Sequence, residues 1–342
     1  MDRIYFQWHI TNLCNYRCLH CYQDNFTAED DLDWAGLKKV ADCIIQTAKK
    51  KNCKIRINLT GGEPFLKKEF FILLNYLQES PVIETLSIIT NGSLINLKII
   101  EELKKYKKIK EIKISLEGAS ASLNDSIRAK GSYQKVWDAI HLLKKETSFP
   151  IIIMFTVLKS NLSDLPLLLQ KAKEEKICGI IIERFFPLGQ GKKINFETLH
   201  ISDWYKLNKM ILALDNFSFN LNDLLPYRAF WIKFISAKIK VFAALCNVSK
   251  NSFCIMPNAD VYPCRRFVLK LGNLLKESLS KIMESPLLKE ILDYPKKGLC
   301  KDCDILGCKG CPAISYLLRN DWQAEDPQCW YRKELESLSF NL

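Results

Sequence analysis

The sequence predicts an α/β chain: a partial (β/α)6 TIM-type barrel followed by a small, loop-rich, cysteine-dense region. Three observations point there. Six short β-branched runs alternate with amphipathic stretches of helical spacing over the first 190 or so of 342 residues. That alternation then stops, giving way to an aromatic-rich segment at 191–240. Eight of the fourteen cysteines fall between positions 246 and 329. Alternating strand and helix patterns imply a parallel sheet covered by helices, and six units close most of a barrel without completing the usual eight.

The predicted strands are 3–10 (RIYFQWHI), 54–60 (KIRINLT), 85–90 (TLSIIT), 111–116 (EIKISL), 151–157 (IIIMFTV) and 178–186 (CGIIIERFF). Helices are expected at 33–50 and 133–146, with Asp33 and Ser163 at N-cap positions. Over 191–245 the spacing suggests two helices and a bridging segment, and further helices are expected near 278–293 and 311–319. The expected domains are therefore 1–190 (the barrel), 191–240 (a bridge) and 241–342 (the cysteine-dense unit).

Composition narrows the function classes. Lysine and arginine exceed aspartate and glutamate by 50 to 38, a net charge of +12, spread as scattered lysines. This reads as a solvated basic surface, or as one that attracts an acidic partner such as a small electron carrier. Basic and aromatic residues do not interleave in the manner of single-strand binders, so no nucleic-acid partner is expected. No apolar run reaches the eighteen or so residues a membrane span needs. The first residues lack a secretory pattern, so a cytoplasmic chain with reduced thiols is expected, and clustered cysteines there hold metal rather than disulfides.

The first cluster follows the first strand, at the end of the sheet where barrel chemistry collects: Cys14, Cys18 and Cys21, in CNYRCLHCY. Three thiolates do not complete a structural zinc site unless His9 or His20 joins them as a zinc knuckle. They do suffice for three irons of a four-iron, four-sulfur cube, leaving the fourth open. The C-x3-C-x2-C spacing resembles the signature of the radical S-adenosylmethionine superfamily, with His20 in the usually aromatic place.

Further matches stand at later strand ends. Thr60-Gly61-Gly62-Glu63-Pro64 resembles the motif that holds the methionine amino group, Glu63 offering a carboxylate to an ammonium. Asn91 lies in Thr90-Asn91-Gly92, also common in the family but by itself only a turn signal. Ser115 and Glu117 share a face and suit ribose hydroxyls, although relatives usually carry aspartate at the second position. Arg128 occupies a place where relatives often set an arginine against the methionine carboxylate. The resemblance implies an S-adenosylmethionine-chelating [4Fe-4S] cluster and cleavage of S-adenosylmethionine to a 5′-deoxyadenosyl radical.

The later cysteines, Cys246, Cys264, Cys300, Cys303, Cys308, Cys311 and Cys329, resemble the seven-cysteine SPASM extension. That extension is named for the maturases of subtilosin, pyrroloquinoline quinone, anaerobic sulfatases and mycofactocin. The resemblance implies two auxiliary [4Fe-4S] clusters, one on Cys300, Cys303, Cys308 and Cys329, the other on Cys246, Cys264 and Cys311. Two zinc ribbons are the alternative. Ala259 stands where relatives have glycine, and two C-terminal spacings are one residue short. Cys254 is extra, on the probable strand SFCIM, and reads as core or as a fourth ligand beside Cys246. Cys43, Cys53 and Cys178 read as core packing.

The resemblance implies an oxidising radical enzyme acting on a peptide or protein, the extra clusters accepting an electron from the substrate radical. The alternative is a small cofactor of quinone, haem or tungstopterin type. A non-catalytic electron carrier or redox sensor is a third class, disfavoured by GGEP and by the Ser115/Glu117 pair. Expected partners are an acidic electron donor of ferredoxin or flavodoxin type and, since the cluster loop begins at residue 14, a separate protein to present any leader peptide. Glu183, Arg184, Gln190, Asp223 and Tyr227 are candidates to face the barrel mouth, Glu183 more as a partner of Arg184 than as a base.

Overall fold

The architecture was analysed in a computed structural model that describes residues 2–214, 227–235, 238–246, 248–303, 305, 308 and 310–329. Six parallel strands run β1 (Arg3–His9), β2 (Lys54–Thr60), β3 (Ile83–Thr90), β4 (Ile109–Ser115), β5 (Ile151–Val157) and β6 (Gly179–Arg184), paired in chain order as a partial barrel. Helices α1 (Trp34–Lys50), α2 (Phe70–Glu79), α3 (Leu97–Leu103), α4 (Ala121–Ile127), α5 (Ser132–Glu146) and α6 (Leu165–Glu174) supply the crossovers. In β1 (RIYFQWH) and β2 (KIRINLT) buried apolar residues alternate with less buried ones, and Gln7, Arg56 and Asn58 of that second set line the barrel's cavity. Side chains such as Trp8, Ile57, Leu86, Ile114 and Phe155 are almost wholly buried and join one core.

Local chemistry explains the boundaries. The Asp33 carboxylate accepts from the Gly36 N–H at 2.9 Å and starts α1, as its sequence position predicts. Ser163 does not cap a helix. It lies inside a 3-10 turn, Leu162–Asp164, and α6 begins at Leu165 without a side-chain cap. The neighbouring Asp164 carboxylate instead accepts from the backbone N–H of Ala119, tying the α6 start to the loop after β4.

Beyond residue 190 the structure corrects the expectation of two helices. Among the described residues one α-helix is present there, α7 (Ile201–Leu214). Later in the same stretch lies an antiparallel hairpin, β7 (Tyr227–Ile235) and β8 (Lys238–Leu245), which extends the sheet from β6. The buried positions Phe230 and Ile232 alternate with more exposed neighbours, the period of a strand.

The cysteine-dense region shares the same sheet. Strand β9 (Ser252–Ile255) pairs in parallel with β1, and β10 (Asp260–Tyr262) and β11 (Gly272–Asn273) follow antiparallel. Helices α8 (Leu279–Met283), α9 (Pro286–Asp293) and α10 (Pro312–Arg319) complete it. Ala259, where relatives have glycine, adopts a left-handed φ of 67° in the β9–β10 turn, a conformation that costs an L-residue about 1 kcal/mol. Cys53 is buried and Cys43 half-buried, whereas Cys178 is exposed ahead of β6 and does not pack in the core.

Phe253 holds β9 to β1, its ring 6.2 Å from that of Phe6. Phe253→Ala should cost about 3 kcal/mol and speed amide hydrogen exchange at 252–255 ahead of β2–β5. Urea unfolding and exchange mass spectrometry measure both.

Candidate active site

A cavity of about 660 Å³ opens inside the partial barrel. Its wall includes the three loop cysteines, Cys14, Cys18 and Cys21, together with Gly61, Gly62, Asn91, Ser115, Glu117 and Arg128. Residues scattered over more than a hundred positions in sequence thus converge at the C-terminal ends of β1–β4. Glu63 and Pro64, also expected as S-adenosylmethionine contacts, are not part of that wall; both are buried, Pro64 at the start of a 3-10 turn behind the loop.

The cysteine loop is fastened by backbone. The Gly62 N–H donates to the Thr11 carbonyl at 2.8 Å and the Glu63 N–H donates to the Leu13 carbonyl at 2.8 Å. A Cβ on Gly61 would lie 2.4 Å from the Thr11 carbonyl oxygen, and one on Gly62 would lie 2.3 Å from that of Leu13. The two glycines therefore let two strand-end loops touch. Asp31 adds a second clasp, accepting from the Asn12 N–H at 2.8 Å and from the Thr11 hydroxyl.

Glu63 has no solvent exposure. Its carboxylate accepts from the Thr90 hydroxyl at 2.8 and 2.9 Å and from the Asn91 N–H at 2.8 Å, and no cation pairs with it among the described residues. Burial outweighs these hydrogen bonds and raises its pKa to about 7. Glu117 is equally buried but differently placed. Arg128 donates to it at 2.6 Å and His20 Nε2 lies 3.4 Å away. Burial alone would raise its pKa, but Arg128 and His20 hold it down at about 2. Asn91 donates to the Asn15 side chain at 2.9 Å, steadying the cysteine loop from β3.

The donor set suits an iron–sulfur cluster. All fourteen cysteines are free thiols. Burial pushes the Cys18 thiol up to about 12, so a metal that displaces its proton would stabilise a loop that otherwise hides three neutral thiols. Arg128 lies close enough to Cys14 and Cys18 to favour their thiolates.

Two further thiols line the same cavity, Cys254 and Cys264. Cys254 is buried, as its strand position predicts, but it faces the chamber rather than the helical layer, and burial raises its thiol to about 12. The other auxiliary candidates stand elsewhere in the cysteine-dense region. Cys246 directly follows β8, Cys311 is buried just before α10, and the Cys329 N–H donates to the Asp326 carbonyl at 3.1 Å. Burial raises the Cys300 thiol, with Cys308 near enough to add to the effect. Cys303 is half-buried just after the 3-10 turn Gly298–Cys300.

Among the mouth candidates, Glu183 pairs with Arg266 at 2.5 Å, not with Arg184, which pairs with Asp326 at 2.8 Å. Gln190 bonds to the cysteine loop through its N–H and the Gln23 carbonyl at 3.2 Å. Asp223 lies outside the described residues, and Tyr227 begins β7. Sequence reading missed the cationic wall of Arg265 and Arg266, although the pair was visible directly after Cys264.

Gly62→Ala should detach the cysteine loop and leave the protein folded but depleted in iron, measured by metal analysis and circular dichroism. Glu63 supplies a pH test. Its folded pKa of about 7 exceeds the ordinary 4.5, so in metal-free protein stability falls as pH rises from about 4.5 to 7. Glu63→Gln should remove that decline, on the order of 3 kcal/mol across the window, read from urea unfolding at each pH.

Comparison with known proteins agrees with this arrangement. The radical SAM superfamily model matches residues 8–172, and the iron–sulfur cluster-binding SPASM model matches residues 246–304. The AdoMet-dependent heme synthase of Methanosarcina barkeri is 25% identical over 95% of both chains. The antilisterial bacteriocin subtilosin biosynthesis protein AlbA of Bacillus subtilis is 25% identical over 95% of this chain and 70% of its own. The structure of native anSMEcpe with bound AdoMet and Cp18Cys peptide superposes with a TM-score of 0.76 at 20% identity, covering 99% of this chain and 97% of that one. With both models matched, and with Cys14, Cys18 and Cys21 of the first segment and Cys254 and Cys264 of the second lining one cavity, the chain belongs to the radical S-adenosylmethionine superfamily, as an enzyme with a C-terminal SPASM iron–sulfur domain.

Proposed function

We propose that this enzyme abstracts hydrogen from a peptide or protein and oxidises it during maturation. The observation that carries the reading is that Cys14, Cys18 and Cys21 line one cavity together with Cys254 and Cys264. A cluster on the first set would supply the electron that cleaves S-adenosylmethionine, and auxiliary clusters would accept the electron the substrate gives up.

This chain's own residues do the positioning. Cys14, Cys18 and Cys21 hold three irons. Gly61 and Gly62 keep the loop in place, and Glu63, buried without a cation, accepts the methionine ammonium, which lowers its raised pKa back toward the ionised form. Asn91 and Ser115 line the adjoining wall, and the Glu117–Arg128 pair orients the ribose hydroxyls and the methionine carboxylate. Cys300, Cys303, Cys308 and Cys329 hold one auxiliary cluster, and Cys246, Cys264 and Cys311 the other, with Cys254 within reach of the latter through its neighbour Cys264. We take 1–190, 191–240 and 241–342 as the functional units. No helix among the described residues is long and apolar enough to cross a membrane. We place the enzyme in the cytoplasm, fed by an acidic ferredoxin- or flavodoxin-type donor and, for a leader-bearing substrate, by a separate presenting protein.

A relative that serves bacteriocin biosynthesis supports the peptide reading. A heme synthase matching 95% of both chains favours a second one, modification of a small cofactor.

Anaerobically reconstituted protein with S-adenosylmethionine and dithionite should release 5′-deoxyadenosine. Deuterium carried into that product from a deuterated cellular peptide fraction supports the first reading; label arriving only from the protein-free small-molecule fraction supports the second. Cys18→Ala should lower cleavage at least a hundredfold. Cys300→Ala should retain uncoupled cleavage without substrate turnover, and equal loss in both variants would argue against an oxidative role for the auxiliary sulfurs.

A further inference from the structure

The cavity wall carries many cations, and nearly all are matched. Arg56 pairs with Glu84, Lys113 with Glu111 at 3.0 Å, Arg128 with Glu117 at 2.6 Å, Arg184 with Asp326 at 2.8 Å and Arg266 with Glu183 at 2.5 Å. Lys110 is exposed at the rim. Arg265 is the exception: it lines the cavity with no carboxylate partner among the described residues.

Its surroundings define which atoms are open. The guanidinium carbon lies 4.3 Å from the centroid of the Tyr22 ring, so one face is covered. Nη2 makes one long bond, 3.4 Å, to the Tyr22 carbonyl, and Nε is buried with no acceptor. The charge is felt nearby. Burial first, then Arg265 and Arg266, lower the pKa of His9 well below the usual imidazole value. A half-buried guanidinium without a counter-ion forfeits hydration, and its free edge matches a planar oxyanion with two parallel N–H···O bonds. Tyr22 follows Cys21, and Arg265 follows Cys264, so the vacant edge stands between the three-cysteine loop and the second pair of cavity thiols.

We propose that Arg265 anchors a carboxylate of the substrate in this chamber, making the enzyme selective for acidic substrates, whether a peptide side chain or a small carboxylated molecule. The proposal rests on the cavity being the substrate chamber assigned above. Arg128 is assigned above to S-adenosylmethionine and the other matched cations are occupied by the protein's own carboxylates, which leaves Arg265, among the described residues, as the interior cation available to the substrate.

The test uses iron-loaded protein saturated with S-adenosylmethionine. It is titrated anaerobically with a Glu-containing peptide and its Gln counterpart, and with a porphyrin tetracarboxylate and its tetramethyl ester. In the wild type a carboxylate probe should bind at least tenfold more tightly than its neutral partner. Arg265→Gln should abolish that preference, and Arg265→Lys, which keeps the charge but not the fork, should retain part of it. The peptide and porphyrin arms identify the source of the carboxylate. No carboxylate preference in the wild type, including no binding by any probe, overturns the proposal, as does undiminished preference in an Arg265→Gln protein of normal iron content. Loss of iron from Arg265→Gln, with no carboxylate preference in the wild type, assigns the guanidinium to the sulfur ligands instead. Protein that forms no 5′-deoxyadenosine yet still prefers carboxylates leaves the anchor standing and contradicts the radical reading.

Discussion

Two loops at the C-terminal ends of β1 and β2 lie so close that only glycine fits between them. Gly61 and Gly62 press their α-carbons against the carbonyls of Thr11 and Leu13, and the N–H groups of Gly62 and Glu63 bond to those same carbonyls. A side chain at either glycine would sit on backbone, which has no rotamer to yield. This contact sets the height of the cysteine loop above the sheet. It also aims Glu63 under Thr90 and Asn91, and so fixes the geometry of the whole chamber mouth.

From that anchor the electrostatics divide into satisfied and unsatisfied groups. Glu117 and Arg128 answer each other in the buried wall, and similar pairs occupy Arg184 and Arg266. Glu63 and Arg265 are different. Among the described residues, one is a buried carboxylate with hydrogen-bond donors but no cation partner, the other a half-buried guanidinium with an aromatic face but no carboxylate partner. A protein interior tolerates such imbalance poorly unless a ligand completes it. An ammonium for Glu63 and a carboxylate for Arg265 are the complements, Arg265 on the cavity wall and Glu63 buried next to the wall residue Gly62.

The sequence carried the fold where periodicity and burial agreed. The six strands of the barrel appear within a few residues of their β-branched runs because those runs supply the buried positions of each strand, and Asp33 caps α1 as its chemistry dictates. The hairpin β7–β8 falls in the aromatic-rich 191–245 stretch for which the spacing suggests two helices and a bridging segment; its strand signal is the alternation of buried Phe230 and Ile232 with their neighbours. Ser163 failed as a cap because a 3-10 turn intervenes. Cys178 directly precedes β6, where the apolar run gives no hint of its exposure. At the site, the motif residues were legible one by one, but their partners were not. Pairing of Glu117 with His20, Glu183 with Arg266, and the entry of Cys254 into the chamber depend on register between distant segments, which no local pattern encodes.

The central claim is that the three loop thiols leave one iron open to the methionine end of S-adenosylmethionine. Electron–nuclear double resonance on the reduced protein, with 15N in the methionine amine of the added nucleoside, tests it most directly. A strong nitrogen coupling, of the size expected for an amine bonded to the cluster and absent in Cys18→Ala protein, is the result predicted. A reduced cluster signal indifferent to the labelled nucleoside, or protein holding only zinc, would contradict it.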